Sequence, residues 1–232
     1  MNAISVLQTI RDGFDFTELL NILQYVIPSL ICITLHELCH GLTACALGDD
    51  LPRRQGRLTL NPLRHLDPIG LLMLLVFHFG WAKPVMVNPG NFRHPKRDMA
   101  LTSLAGPAAN VVITLVFLLL YGALYLPLSS RSWGGYILQM LLITAHLSLS
   151  YAVFNLIPLP PLDGSKILFS ALSDKGYWKL MRYERYGSIL LLLLVWTGVL
   201  SKPLSQAVSS IFNGLIPISQ WACDTVYTIF YK

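Results

Sequence analysis

The sequence predicts an all-α polytopic membrane protein with about 4–6 transmembrane helices. Of its 232 residues, 54% are hydrophobic and only 12% are charged, whereas soluble globular domains contain about 25% charged residues. The mean hydropathy is +0.56, and several apolar runs approach or exceed the roughly 20 residues that a helix needs to cross a bilayer. We therefore expect residues 1–232 to form a single integral-membrane domain.

The predicted spans follow from these apolar runs. The first covers residues 16–47 and is interrupted by Pro28, which predicts a kink or a break in the helix. Two strong spans follow at 99–127 and 135–157, and further helices are expected within the C-terminal residues 187–231.

The net charge of +5 does not indicate a nucleic-acid partner, because the basic residues lie in short segments between apolar runs. Thirteen of the 17 Lys and Arg residues fall within 49–68, 83–98 and 159–186. Basic loops remain on the cytosolic side of a membrane, so these three segments are predicted to share that side. The acidic start of the chain is unlike a cleavable signal peptide.

Residues 69–82 are apolar, but at about 14 residues they are too short to span a bilayer comfortably. Both of their flanks are basic, which favours a re-entrant or interfacial segment that begins and ends on the same side. Just before them, residues 56–61 alternate between polar and apolar side chains. This alternation predicts a short strand, with a plain loop as the alternative.

The first span carries the motif H-E-x-x-H, formed by His36, Glu37 and His40. Side chains four residues apart lie on one face of a helix, so the two imidazoles can bind a single ion. The glutamate then stands beside the ion, where it can act as a base. Titratable groups within an apolar span are costly and usually functional.

A catalytic zinc ion commonly takes three protein ligands and keeps one position open for water. The sequence offers several candidates for the third ligand: Asp163, His65, Asp67, Asp49 and Asp50, with Cys32 as a less favoured one on the same helical face as His36. Asp163 follows an apolar span in a turn broken by prolines. Irregular backbone at membrane depth is tolerated where it lines a polar cavity, which favours Asp163 and leaves His65 as the next choice.

Three segments resemble the site-2 protease family of intramembrane zinc metalloproteases: HELCH at 36–40, SLAGPAAN at 103–110 and NLIPLPPLDG at 155–164. The stretches at 56–70 and 80–89 also resemble compact bacterial members of that family. Together these segments cover most of residues 30–170. The chain is too short for the PDZ or CBS domains that other members carry.

The resemblance implies that Asp163 is the third zinc ligand, that Glu37 is the general base and that Asn155 helps to position substrate. It implies one Zn²⁺ per chain and single-span membrane proteins as substrates. These would be cut in or near their transmembrane segments, either in regulated proteolysis or in the clearance of remnant peptides. The expected location is a bacterial plasma membrane, with the active site near the cytosolic face. Asn110 is expected to pack and hydrogen-bond helices near the site.

Two other functions use the same residues. A metal transporter would need the ligands but not a base beside them, and the inverted repeats of many transporters are not visible. A scaffold without activity would not need the complete set of His36, Glu37, His40 and Asp163. The sequence therefore favours the protease. The oligomeric state is not predicted.

Overall fold

The computed structural model describes residues 16–67, 70, 83–182 and 184–230, and within them the chain is built from helices without a strand. The helices are α1 (Phe16–Ala46), α2 (Leu51–Arg54), α3 (Pro95–Ser129), α4 (Gly134–Asn155), α5 (Asp163–Ser170), α6 (Asp174–Arg182), α7 (Glu184–Trp196) and α8 (Ser201–Phe230). The predicted all-α fold is confirmed.

Three of these helices are long and apolar enough to cross a membrane: α1 from Ile22 onward, α3 and α4. In addition, the end of α7 from Tyr186 and the whole of α8 pass the same test together, although they meet at a bend of 84°. Counting this bent pair as one span gives four spans in the described part of the chain, the lower end of the predicted range. Pro28 lies inside α1 without ending it.

The core of the bundle lies where α3, α4 and α8 meet. Leu118 of α3 packs with Ala145 and Leu149 of α4 and with Val208 and Phe212 of α8. Farther along α3, Gly122 allows a close approach, because a Cβ atom there would lie 2.0 Å from the carbonyl oxygen of Ser219 in α8. The C-terminal helix α8 is therefore an integral part of the bundle.

Contacts between loops bring the three basic segments to one face of the bundle. Asp49, which is fully buried, follows α1 and accepts hydrogen bonds from the Asn88 backbone N–H at 2.7 Å and from Asn91 Nδ2 at 2.6 Å. At the start of α3, Lys96 pairs with Asp174 of α6 at 3.1 Å. These contacts join the segments 49–68, 83–98 and 159–186 at the same ends of the spanning helices.

Residues 56–61 form a turn-rich loop and not a strand. Gly56 has a positive φ of 64°, and the N–H of Arg57 donates to the carbonyl oxygen of Pro52 at 3.0 Å, so the backbone folds back on α2. The proposed re-entrant segment 69–82 lies outside the described residues apart from Gly70. A hydrogen bond joins the two flanks of this segment, because the Lys83 N–H donates to the carbonyl oxygen of His65 at 2.9 Å.

This arrangement predicts which positions share a side of the membrane. Single cysteines at Gln55, Asn91 and Lys175 in an otherwise cysteine-free chain should react with an impermeant reagent from one side, because their segments are joined by direct contacts. A cysteine at Ser130, beyond the far end of α3, should react from the other side. Labelling of Gln55 and Asn91 from opposite sides would show that residues 69–82 cross the bilayer.

Candidate metal centre

His36 and His40 lie one turn apart on α1, and both are buried. Their Nε2 atoms are 3.0 Å apart, and the two rings stand nearly perpendicular, at 87°. The spacing of four residues stacks the side chains on one helical face. The two nitrogens therefore point at one common position.

Asp163 completes the group from the first residue of α5. Its Oδ2 atom lies 3.2 Å from Nε2 of each histidine. The following residue, Gly164, makes this approach possible, because a Cβ atom there would lie 2.2 Å from the carbonyl oxygen of Leu156. The proline-rich loop thus turns back tightly over the end of α4 and places the carboxylate against α1.

The donor set of this group fits a zinc ion. Two imidazole nitrogens and one carboxylate oxygen are ligands that zinc prefers, and donors around a tetrahedral zinc ion lie about 3.3 Å apart. The observed separations of 3.0–3.2 Å are close to that distance. Burial alone would raise the pKa of Asp163, but the neighbouring imidazoles outweigh burial and hold the pKa below its usual range. This direction favours the ionised carboxylate that a metal ligand requires.

Helix α3 packs directly against the two histidines. The carbonyl oxygen of Thr102 lies 2.7 Å from His40 Nδ1, so this nitrogen donates and Nε2 keeps its lone pair. One turn later, Gly106 leaves room for both rings, because a Cβ atom there would lie 2.4 Å from His40 Nε2 and 2.6 Å from His36 Cε1. Sequence reasoning did not identify these roles, although Gly106 belongs to the recognised segment 103–110.

Glu37 is half-buried and lies outside the metal-binding group. Its Oε2 atom accepts a hydrogen bond from the Val85 backbone N–H at 2.8 Å. Nothing in the sequence linked Val85 to this glutamate, because any residue type can supply a backbone N–H donor.

Asn155 lies at the last turn of α4, where its Nδ2 donates to the carbonyl oxygen of Tyr151 at 3.0 Å. Its role toward substrate stays a prediction.

The other candidate ligands have different partners. His65 Nε2 contacts the carbonyl oxygen of Thr59 at 2.9 Å, and Cys32 donates to the carbonyl oxygen of Thr144. Asp49 accepts a hydrogen bond from the Asn88 N–H, Asp50 pairs with Arg53 of α2, and Asp67 accepts a hydrogen bond from the Gly70 N–H. Within the described ranges, His36, His40 and Asp163 form the one group of three such side chains that could hold a metal ion.

Comparisons with known proteins agree with this chemistry. A family model for peptidase family M50 matches residues 122–196. A Bacillus subtilis protein named "Putative zinc metalloprotease YwhC" is 39% identical over 181 residues, which cover 77% of this chain and 83% of that protein. A Mycolicibacterium smegmatis protein named "Putative zinc metalloprotease Rip2" is 30% identical over 188 residues, which cover 79% of this chain and 71% of that protein. No solved structure matches the chain.

Two buried histidines and a buried aspartate within a bundle of apolar helices fit a zinc-dependent membrane enzyme. Together with the relatives, they define this chain as a zinc metalloendopeptidase and an integral membrane protein. The chain belongs to peptidase family M50, the site-2 protease family. Its cofactor is Zn²⁺. The alternative functions of transporter and inactive scaffold are not favoured.

The first prediction for this centre concerns zinc content. The purified protein should carry about one zinc per chain, because three ligands and one open position make a single-ion site. His36→Ala, His40→Ala and Asp163→Ala should each lower the zinc content measured by elemental analysis. Asp50→Ala is the matched control and should retain zinc, because Asp50 is an exposed carboxylate between α1 and α2 that pairs with Arg53. Full zinc retention in Asp163→Ala would move the third ligand to His65 or Asp67.

The second prediction concerns the space at Gly106. Gly106→Ala should displace both imidazoles and weaken zinc binding by more than the roughly 10–100-fold that the loss of an outer-shell partner costs. Gly135→Ala is the control, because a Cβ atom on that helical glycine meets nothing within 4 Å. Zinc affinity measured by chelator competition would distinguish the two variants. Equal affinities would mean that α3 does not confine the histidines.

Proposed function

We propose that this metalloendopeptidase is an intramembrane protease. On this proposal it hydrolyses peptide bonds in or near the transmembrane segments of single-span membrane proteins, with His36, His40 and Asp163 as the zinc ligands. Such an activity serves either regulated intramembrane proteolysis or the clearance of remnant peptides.

The observation that carries this proposal is the depth of the donor group. The candidate span in α1 ends at Ala46, so at 1.5 Å per residue His40 lies about 9 Å and His36 about 15 Å from the end of the helix. Asp163 reaches the same depth through the loop that follows α4. A peptidase site at this position is suited to substrates that are themselves in the membrane.

Glu37 is the proposed general base. A zinc ion held by His36, His40 and Asp163 would lower the pKa of a bound water and polarise the scissile carbonyl group. Glu37, one residue after His36, is rotated by about 100° from that ligand and lies beside the donor group without joining it. It takes a proton from the attacking water and delivers that proton to the leaving amine.

The substrate must be locally unwound, because the hydrogen bonds of a helix shield its peptide bonds. Residues 83–88 form neither a helix nor a strand, and they pass Glu37 closely enough for Val85 to contact it. Within the part of the chain that the structure describes, the backbone N–H groups of Met86 and Val87 have no hydrogen-bond partner. An extended substrate segment added to this edge by backbone hydrogen bonds would lie beside the base. This edge supports the proposal better than residues 56–61, which fold into turns.

The proposed location is a bacterial plasma membrane with the active site near the cytosolic face. The three segments that contain thirteen of the 17 Lys and Arg residues meet at the end of α1 that carries the histidines. Because basic loops remain in the cytosol, this distribution supports a centre that opens toward that side. The named relatives include proteins of bacteria.

The decisive variant for this function is Glu37→Gln. Glutamine has the size of glutamate and still accepts the Val85 hydrogen bond, but it cannot take a proton from water. Zinc should therefore stay bound, while cleavage falls by at least the roughly 10²–10⁴-fold typical of a lost general base. The two measurements are zinc content and cleavage of a reconstituted single-span substrate.

Wild type and His36→Ala serve as references in the same membranes. Normal cleavage by Glu37→Gln with zinc bound would contradict the role of base. Loss of zinc together with activity would make Glu37 a structural or metal-binding residue. An active wild-type enzyme that cuts a soluble peptide but no membrane-inserted substrate would contradict the intramembrane assignment.

A further inference from the structure

Asn110 of α3 is completely buried beside the metal centre. Nδ2 of its side-chain amide lies 3.1 Å from His36 Nδ1, the ring nitrogen that faces away from Asp163 and His40. The proposed function gives the other nitrogen, Nε2, to the ion. The amide of Asn110 is therefore placed to act on the metal centre through His36.

The backbone of Asn110 is fixed independently of this side-chain contact. Its carbonyl oxygen accepts hydrogen bonds from Thr114 Oγ1 at 2.9 Å and from Ser148 Oγ of α4 at 2.8 Å. Both contacts use a group that every residue type provides, so helix packing at this point does not require an asparagine side chain. That side chain needs a different explanation, and its contact with His36 offers one.

The chemistry of a neutral imidazole determines what His36 needs from this partner. Such a ring has one N–H and one lone pair, so a lone pair on Nε2 requires the proton to be on Nδ1. His40 meets this requirement through the Thr102 carbonyl oxygen, which can only accept. His36 needs an acceptor in the same place, and ligating histidines generally have one.

The amide of Asn110 can supply that acceptor. The oxygen and nitrogen of an asparagine amide are nearly equal in size, and their assignment follows from the hydrogen bonds around them. With Nδ2 toward His36, Oδ1 is buried without a partner among the described residues, and the proton of His36 must lie on Nε2. With Oδ1 toward His36, the proton lies on Nδ1 and Nε2 presents its lone pair to Asp163 and His40.

We propose that Asn110 is a positioning residue that sets the tautomer of His36, with Oδ1 accepting a hydrogen bond from His36 Nδ1–H. This inference rests on the proposed function, in which His36 is a zinc ligand. Thr102 and Asn110, eight residues apart on α3, then hold the outer nitrogens of the two histidines. One helix thereby fixes both imidazoles in the form that binds a cation.

The test compares zinc affinity, measured by chelator competition, in variants of the full-length protein. Asn110→Leu fills the same space but offers no acceptor, and it should weaken zinc binding by about 10–100-fold. Asn110→Asp restores an oxygen that accepts from Nδ1–H and should keep the affinity close to that of wild type. If Asn110→Leu does not fold, Asn110→Ala removes the same acceptor without adding bulk.

Thr114→Val is the matched control, because it removes a hydroxyl that touches the carbonyl oxygen of Asn110 but not the amide. It should keep wild-type zinc affinity even if its unfolding temperature falls. Wild-type affinity in Asn110→Leu or Asn110→Ala, or affinity in Asn110→Asp as weak as in those variants, would overturn the inference.

The same series includes His36→Ala, so that two failures are distinguishable. Zinc retained by His36→Ala would overturn the ligand assignment in the proposed function together with this inference. Zinc lost from His36→Ala but bound normally by Asn110→Leu would overturn this inference alone.

Discussion

The close approach of α3 to α1 at Gly106 is the constraint on which the metal centre depends. Two imidazole nitrogens and a carboxylate oxygen lie 3.0–3.2 Å from one another, and α3 packs directly against both rings. A side chain at Gly106 would occupy the space of both rings. Because α3 passes this closely, its Thr102 carbonyl group and its Asn110 amide reach the two outer nitrogens. The contact between two helices therefore confines both imidazoles and places a polar group against the outer nitrogen of each.

Polar groups inside the bundle connect the spanning helices in a consistent way. Thr114 and Ser148 join α3 to α4 through the Asn110 carbonyl oxygen, and Cys32 joins α1 to α4 through the Thr144 carbonyl oxygen. A polar group facing lipid would lack a partner, so these side chains gain most by turning inward. Large apolar residues such as Val112 are exposed on the outer surface. Polar side chains thus point into the bundle and apolar ones point outward, as a membrane requires. The inward-pointing polar groups also hold together the helices that carry the metal donors.

The sequence predicts those features that depend on local spacing. His36 and His40 share a helical face because they are four residues apart, and the length of the apolar runs predicts α1, α3 and α4. The loop around Asp163 could be placed at the correct face from its position after a span, but the residues alone left His65 open as a ligand. The contacts of Gly106 and Val85 depend on how distant elements align, and no local pattern contains that information. At residues 56–61 the local pattern gives a wrong prediction. Their alternation of polar and apolar side chains predicts a strand, whereas Gly56 turns the backbone.

The side chain of Glu37 is oriented by the loop that is hydrogen-bonded to Asp49. Asp49 accepts hydrogen bonds from Asn88 and Asn91, which hold the end of the segment 83–88 against the end of α1. Val85, three residues before Asn88, then donates its N–H to Glu37 Oε2. This hydrogen bond orients the carboxylate, and on the proposed function its second oxygen takes the proton from water. The backbone N–H groups of Met86 and Val87 in the same segment have no hydrogen-bond partner among the described residues. On the proposed function, a substrate segment that pairs with them would be aligned with Glu37 by the contacts that already hold this segment.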